Sequence, residues 1–189
     1  MLLNAARRSG RARPMSTAAV SPSLALKVYG GKQSSPAAAA TFAAWHECLD
    51  GVLYGGMDSS QAMEVLKPHM DEQCVFRPPT YFAPWKGREE TLLLLSCVSE
   101  VFGNSFTYGR QWLSDDGCEW ALEFEANIAE SGKKIQGIDL VSLCEDTGRI
   151  KEFTVLARPP NAVDALKGAM MQKVPMRLAK LKAKQALGL

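Results

Sequence analysis

An α+β fold is expected, on three observations. Apolar residues recur at helical spacing in the first half of the body. Four alternating segments then follow one another directly, as antiparallel strands do in a meander. Turn-forming residues mark each connection between those four segments.

The elements read as follows. Phe42 to Leu53 places Phe42, Trp45, Leu49, Val52 and Leu53 on one helical face, and Gly55-Gly56 closes that helix. His46 falls at its solvent edge. Asp58-Ser59-Ser60 caps a second, short helix that runs to about Leu66, before Pro68. Cys74-Val75-Phe76 forms a strand closed by Pro78-Pro79. Lys86-Gly87-Arg88 opens a third helix, apolar at Leu92, Leu95, Val98 and Phe102, and Gly103-Asn104 ends it.

The four meander strands are Phe106–Ser114, Gly117–Ile128, Lys134–Cys144 and Arg149–Arg158. They are joined at Asp115-Asp116-Gly117, Ser131-Gly132 and Asp146-Thr147-Gly148. In the second of them Trp120, Leu122, Phe124 and Ala126 share one face, with Glu119, Glu123 and Glu125 on the other. After Pro159-Pro160, Ala162 to Val174 forms a helix that Pro175 kinks or ends. Residues 176–187 form a last, basic amphipathic helix. A long twisted sheet must curve, and the front helices cover only part of its concave face. The uncovered part is a cavity and the default place for a ligand.

The chain has 189 residues, 47% of them apolar, which suits one domain with tails. The net charge of +2 argues against a nucleic-acid partner. No run of apolar residues is long enough for a transmembrane helix. Charge is unevenly placed. No acid precedes Glu47, whereas residues 41–189 hold 16 basic and 20 acidic side chains. The five cysteines (Cys48, Cys74, Cys97, Cys118 and Cys144) include no C-x-x-C pair and read as buried free thiols.

Residues 1–36 are rich in Arg, Ser and Ala. As a helix they set Leu2, Leu3 and Ala6 opposite Arg7 and Arg11. That is the composition of a transit peptide, mitochondrial in preference to plastid, or else of a disordered leader with Met15 as the true start. The expected organisation is therefore a leader over 1–36, a domain over 37–160 and a helical extension over 161–189. The Ser35-Pro36-Ala run serves as a linker. The basic extension docks on the domain, on a partner subunit or on an anionic membrane, or stays solvated.

Taken together, the helix–helix–strand order ending Val75-Phe76-Arg77-Pro78, then Pro84-Trp85-Lys86-Gly87-Arg88-Glu89, Gly137-Ile138-Asp139-Leu140-Val141 and Gly148-Arg149-Ile150-Lys151-Glu152-Phe153, resembles the SnoaL-like branch of the nuclear transport factor 2-like superfamily. The resemblance covers about Phe42 to Pro160. It implies a cone, in which a curved antiparallel sheet wraps N-terminal helices around an internal pocket and often dimerises through the sheet. Ketosteroid isomerase, polyketide cyclases, scytalone dehydratase and limonene epoxide hydrolase share that fold, as do many non-catalytic binding modules.

Asp139 is the leading catalytic candidate. A carboxyl in the apolar segment Ile138-Asp139-Leu140-Val141 must be hydrogen-bonded, paired or protonated. The resemblance adds a precedent in ketosteroid isomerase, an enzyme that serves as a general example of a carboxylic acid kept protonated in an apolar pocket. Arg77 stands where the resemblance places an isomerase's base carboxylate, and a guanidinium cannot serve as that base. It is expected either to hold a ligand oxygen or to pair with Asp139. His69, beside the expected pocket mouth, is a candidate base or proton shuttle, or a plain loop histidine.

Trp45, Tyr81, Trp85, Trp112 and Trp120 are candidate pocket-lining aromatics, with core filling as the alternative for each. No phosphate loop, nucleophile elbow or metal-ligand spacing is present, so neither a cofactor nor a metal is expected. Two functions remain open. One is a binder of a small hydrophobic carbonyl-type ligand, with acid/base proton transfer of the isomerase, cyclase or dehydratase kind. The other is a non-catalytic accessory subunit of a mitochondrial, membrane-associated complex. Expected partners are the small ligand and a second copy of the chain or a larger assembly.

Overall fold

The computed structural model describes residues 27–188. Most of the leader reading therefore falls outside the described residues. The part within reach differs from expectation. Val28–Tyr29 form a two-residue strand, β1. Ser35 caps helix α1, Pro36–Leu53, its hydroxyl accepting from Ala38 N at 3.2 Å. The Ser35-Pro36-Ala run is thus a cap with proline in the first turn, not a linker.

Helix α2, Ser59–Leu66, starts from a capping box in which Asp58 accepts from the Ser60 and Gln61 amides. A 3-10 turn over Lys67–His69 leads into β2, Met70–Arg77, longer than the three residues expected. Short β3, Trp85–Lys86, precedes α3, Arg88–Phe102. The meander follows as β4 Thr107–Leu113, β5 Glu119–Ile128, β6 Lys133–Leu143 and β7 Ile150–Arg158.

These seven strands form one sheet in the order β1-β4-β5-β6-β7-β2-β3. The meander is antiparallel, as expected, but the sheet as a whole is mixed. β1 runs parallel to β4, and β2 runs parallel to β7. Both arrive from the helical half of the chain, whose crossovers permit parallel pairing where hairpins do not. Register shifts in β2, in β4 between Tyr108 and Gln111, and at Ser142/Leu143 bend the sheet into the curved wall of an α+β cone.

The alternation read in β5 holds. Trp120, Leu122, Phe124, Ala126 and Ile128 are all buried on the concave face. Helices α1, α2 and α3 pack over that face, and each large side chain so buried contributes about 1.5–3 kcal/mol. Gly137 in β6 is required by this packing. A Cβ there would lie 2.4 Å from Leu156 O and 2.5 Å from the Phe124 ring.

The chain after Pro159 departs from expectation. It forms one helix, α4, from Pro160 to Ala186, so Pro175 lies inside the helix and does not end it. Pro175 donates no bond to Met171 O, yet both flanks are held. Val174 is buried, Leu178 packs against the core, and Arg177 donates to Glu100 of α3 through Nη1 and Nη2 at 2.8 and 2.9 Å.

Candidate functional site

Strand parity decides which side chains face the cone's interior. In β6, Ile135, Asp139, Val141 and Leu143 point inward, while Ile138 and Leu140 lie on the outer face. Asp139 stands opposite Leu122 on one side and Val155 on the other, and is only 5% exposed. Its partner comes from β4. Tyr108 donates its hydroxyl proton to Asp139 Oδ2 at 2.8 Å. Trp45, from α1, in turn donates Nε1–H to the Tyr108 oxygen at 2.8 Å. Three elements thus build one hydrogen-bonded line, Trp45 to Tyr108 to Asp139.

Burial penalises the charged form of Asp139 and raises its pKa from 3.8 to about 7, while the Tyr108 hydrogen bond pulls it down. Burial first, and then the Asp139 charge, push the Tyr108 phenol well above its ordinary value, so it remains a hydroxyl. Asp139 Oδ1 accepts no hydrogen bond from any described residue. The carboxyl is therefore a group that can exchange a proton near neutral pH, with one oxygen held and one free.

This line opens on a cavity of about 350 Å³. Its walls are almost wholly apolar, with Phe76, Phe124, Phe153 and Val155 among them, and Asp139 is the only carboxyl among the lining residues. Helix α4 supplies Leu166, Met170 and Val174 to the wall, so this part of the extension forms one side of the pocket. Cys48 also borders it, and burial pushes that thiol up to about 12. It is not a thiolate nucleophile. Among the described residues, no cluster of three metal-ligating side chains occurs and no helix is long and apolar enough to cross a membrane.

The candidates named from sequence separate into two groups. Asp139, Trp45, Tyr81 and Trp85 line the cavity. Arg77, His69, Trp112 and Trp120 do not. Arg77 follows inward-facing Phe76, so parity turns it to the outer face, beside Thr154 and paired with Glu152. It neither meets a ligand in the cavity nor neutralises Asp139. His69 is tied through Nδ1 to Thr41 Oγ1 at 3.0 Å, outside the cavity. Trp112 lies on the outer face against Tyr29 and Arg110. Trp120 is core, packed edge-on against Phe42 and Trp45, its Nε1–H satisfied by Gly117 O at 2.7 Å. His46 is half-buried and not at a solvent edge, with its ring nitrogens at 2.9 Å from Phe42 O and 3.0 Å from Gln111 Oε1.

Tyr108 was missed. Its signal was present, since it is the one phenol in a meander strand and precedes Asp139 by two strands. The bulge at Tyr108/Gln111 hides its parity, however, and its cross-strand neighbour is Phe124 rather than Asp139.

No family model and no curated protein matches the chain. Solved structures do. A steroid delta-isomerase from Pseudomonas aeruginosa is 33% identical, with a TM-score of 0.63, over 77% of this chain and 97% of that one. The chain belongs to the nuclear transport factor 2-like superfamily. A second superfamily likeness is an uncharacterised bacterial protein with a cystatin-like fold from Silicibacter pomeroyi, at 31% identity and a TM-score of 0.58, again over 77% and 97%. A protein from Jannaschia sp. described as SnoaL-like and polyketide cyclase-like, at 14% identity, 72% and 97% coverage and a TM-score of 0.54, shares the fold.

Proposed function

We propose that this superfamily member binds a small hydrophobic carbonyl compound in its cavity and moves a proton beside the carbonyl, with Asp139 as the acid/base group. The observation that carries the reading is a lone carboxyl in an apolar pocket, held by Tyr108, with a pKa of about 7. The 33% identity to a protein described as a steroid delta-isomerase supports the same chemistry. The cavity volume falls at the low end of the range for small-molecule sites, about 300–1,000 Å³.

In this reading the ionised Asp139 takes the proton from the carbon between a carbonyl and an alkene. The C–H electron pair passes into the conjugated system as an enolate. The carboxyl then returns the same proton to the far alkene carbon, so the formula is unchanged and no co-reactant is needed. Tyr108 and Trp45 hold the carboxyl in place. The apolar walls exclude water and keep its proton affinity high.

The test is to incubate the purified chain with a β,γ-unsaturated cyclic ketone and follow ultraviolet absorbance of the conjugated product. Asp139→Asn is expected to lower the rate at least about 100-fold. An unchanged rate in that variant, or failure of the ketone to bind saturably, overturns the reading. A dimer through the convex face is also part of the proposal, supported by exposed Ile138, Leu140 and Leu156.

A further inference from the structure

We propose that the rim of the cavity is a docking surface for an anionic lipid bilayer, from which the pocket takes its ligand. This deepens the reading above by naming where an apolar ligand is met, while the docking itself does not depend on Asp139.

Two elements build the rim. The first is the loop between β2 and β3, where Tyr81 borders the cavity and Phe82 is fully exposed. The second is α4. The Tyr81 hydroxyl donates to Met171 Sδ at 3.0 Å, and Lys167 Nζ sits 5.0 Å from the Tyr81 ring centre. These contacts fix the loop to the helix and set Phe82 beside a helix that exposes Met171 and Met176. Large apolar side chains held in water at the entrance of an apolar cavity are costly unless something apolar covers them.

Charge identifies the cover. From Ala165 to Leu189 the chain carries Lys167, Lys173, Arg177, Lys180, Lys182 and Lys184, and no acid. Lys173 and Arg177 are engaged by Glu100. Lys180, Lys182 and Lys184 are exposed and form no ion pair among the described residues. The rest of residues 41–189 is acidic in balance, so this cationic stretch is local to the cavity's rim and its continuation. Exposed aromatic and methionine side chains on an element free of acid and rich in lysine match a bilayer with negative headgroups. The rings and thioethers enter the interface while the ammonium groups stay at headgroup level.

The experiment uses the full chain and vesicles of phosphatidylcholine, with or without phosphatidylglycerol. The acid-free leader also attracts anionic lipid, so every comparison is made between full-length variants that share it. Phe82→Ser, and separately Lys180→Gln with Lys182→Gln and Lys184→Gln, are expected to lower apparent affinity for the anionic vesicles at least about tenfold. Phe82→Trp is expected to blue-shift its emission on vesicle addition. These positions are exposed, so circular dichroism should match the parent. Asp139→Asn is expected to bind vesicles like the parent, which separates this proposal from the proton-transfer reading. Unchanged affinity in the Phe82 and lysine variants, or an emission unmoved by vesicles, overturns the proposal. An acidic protein surface would then remain as the rim's occupant.

Discussion

Tyr108 holds Asp139 from a strand that does not touch it. β4 and β6 are separated by β5, yet the Tyr108 hydroxyl reaches Asp139 Oδ2 at 2.8 Å across the concave face. Because the donor favours the charged carboxylate, it opposes the burial that raises the Asp139 pKa to about 7. Tyr108→Phe should therefore move the Asp139 midpoint upward, by about 1 pH unit for a lost hydrogen bond to a charged group. Carboxyl carbon chemical shifts followed against pH give that midpoint. A midpoint at or below the parent's would show that the hydroxyl does not set the acidity. Trp45→Phe should move it in the same direction by less, since Trp45 acts only through Tyr108.

A raised carboxyl pKa makes stability fall as pH rises. Between the ordinary value of 3.8 and about 7, the folded chain keeps a proton that the unfolded chain has lost. Stability therefore declines through that window, and the full penalty, of order 4 kcal/mol at about 1.36 kcal/mol per pH unit, stays in force above it. Asp139→Asn carries no such penalty but leaves its amide protons without partners in the cavity. It should be more stable than the parent at pH 8, by about 2 kcal/mol, and show no gain below pH 4. Urea unfolding at the two pH values checks this. Equal stability at pH 8 would mean that the carboxyl finds ion-stabilising contacts in solution. The stabilised variant is also the one expected to lose turnover, which is the ordinary conflict between stability and a working buried acid.

The meander and the inner face of β5 were legible in the sequence because period-two patterning is a local property, written in Trp120, Leu122, Phe124 and Ala126. Asp139 was legible for a different reason, as the one charge in the apolar run Ile138-Asp139-Leu140-Val141, while its inward direction was not. What failed was non-local. Arg77 was placed by analogy with a position in a family pattern, and one residue of parity was enough to put it on the other side of the sheet. Trp120 and Trp112 differ in the face they occupy, and composition alone cannot tell an inner face from an outer one. Pro175 looked like a helix end because the rule for isolated helices holds. Here packing by Val174 and Leu178 and the Glu100 pair override it.

Arg77 gives a direct test of the strand register. It pairs with Glu152 on the convex face, with both side chains about 40% exposed, where such a pair contributes about 0–1 kcal/mol. Arg77→Gln should leave ketone binding and turnover unchanged and cost less than about 1 kcal/mol in urea unfolding. A tenfold loss of ligand affinity would return Arg77 to the site and contradict the strand register.

Glu100 of α3 latches α4 on both sides of Pro175. It accepts from Arg177 at 2.8 and 2.9 Å and from Lys173 at 3.3 Å, one on each side of the interrupted turn at Pro175. The Arg177 hydrogen bond, the largest influence, holds its carboxyl below the usual carboxylate range. The contribution is therefore present at neutral pH and lost as pH falls through that lowered value. Both partners are about a third exposed, so solvent screening limits it to about 1 kcal/mol. Glu100→Gln should cost little in global stability yet loosen the half of α4 beyond Pro175, where no Met171 hydrogen bond helps. Amide exchange over residues 176–186 should quicken about fivefold at neutral pH, corresponding to about 1 kcal/mol, while exchange over 160–170 stays as in the parent. Unchanged exchange over residues 176–186 would show that this half is held by packing alone and that Glu100 is not the latch.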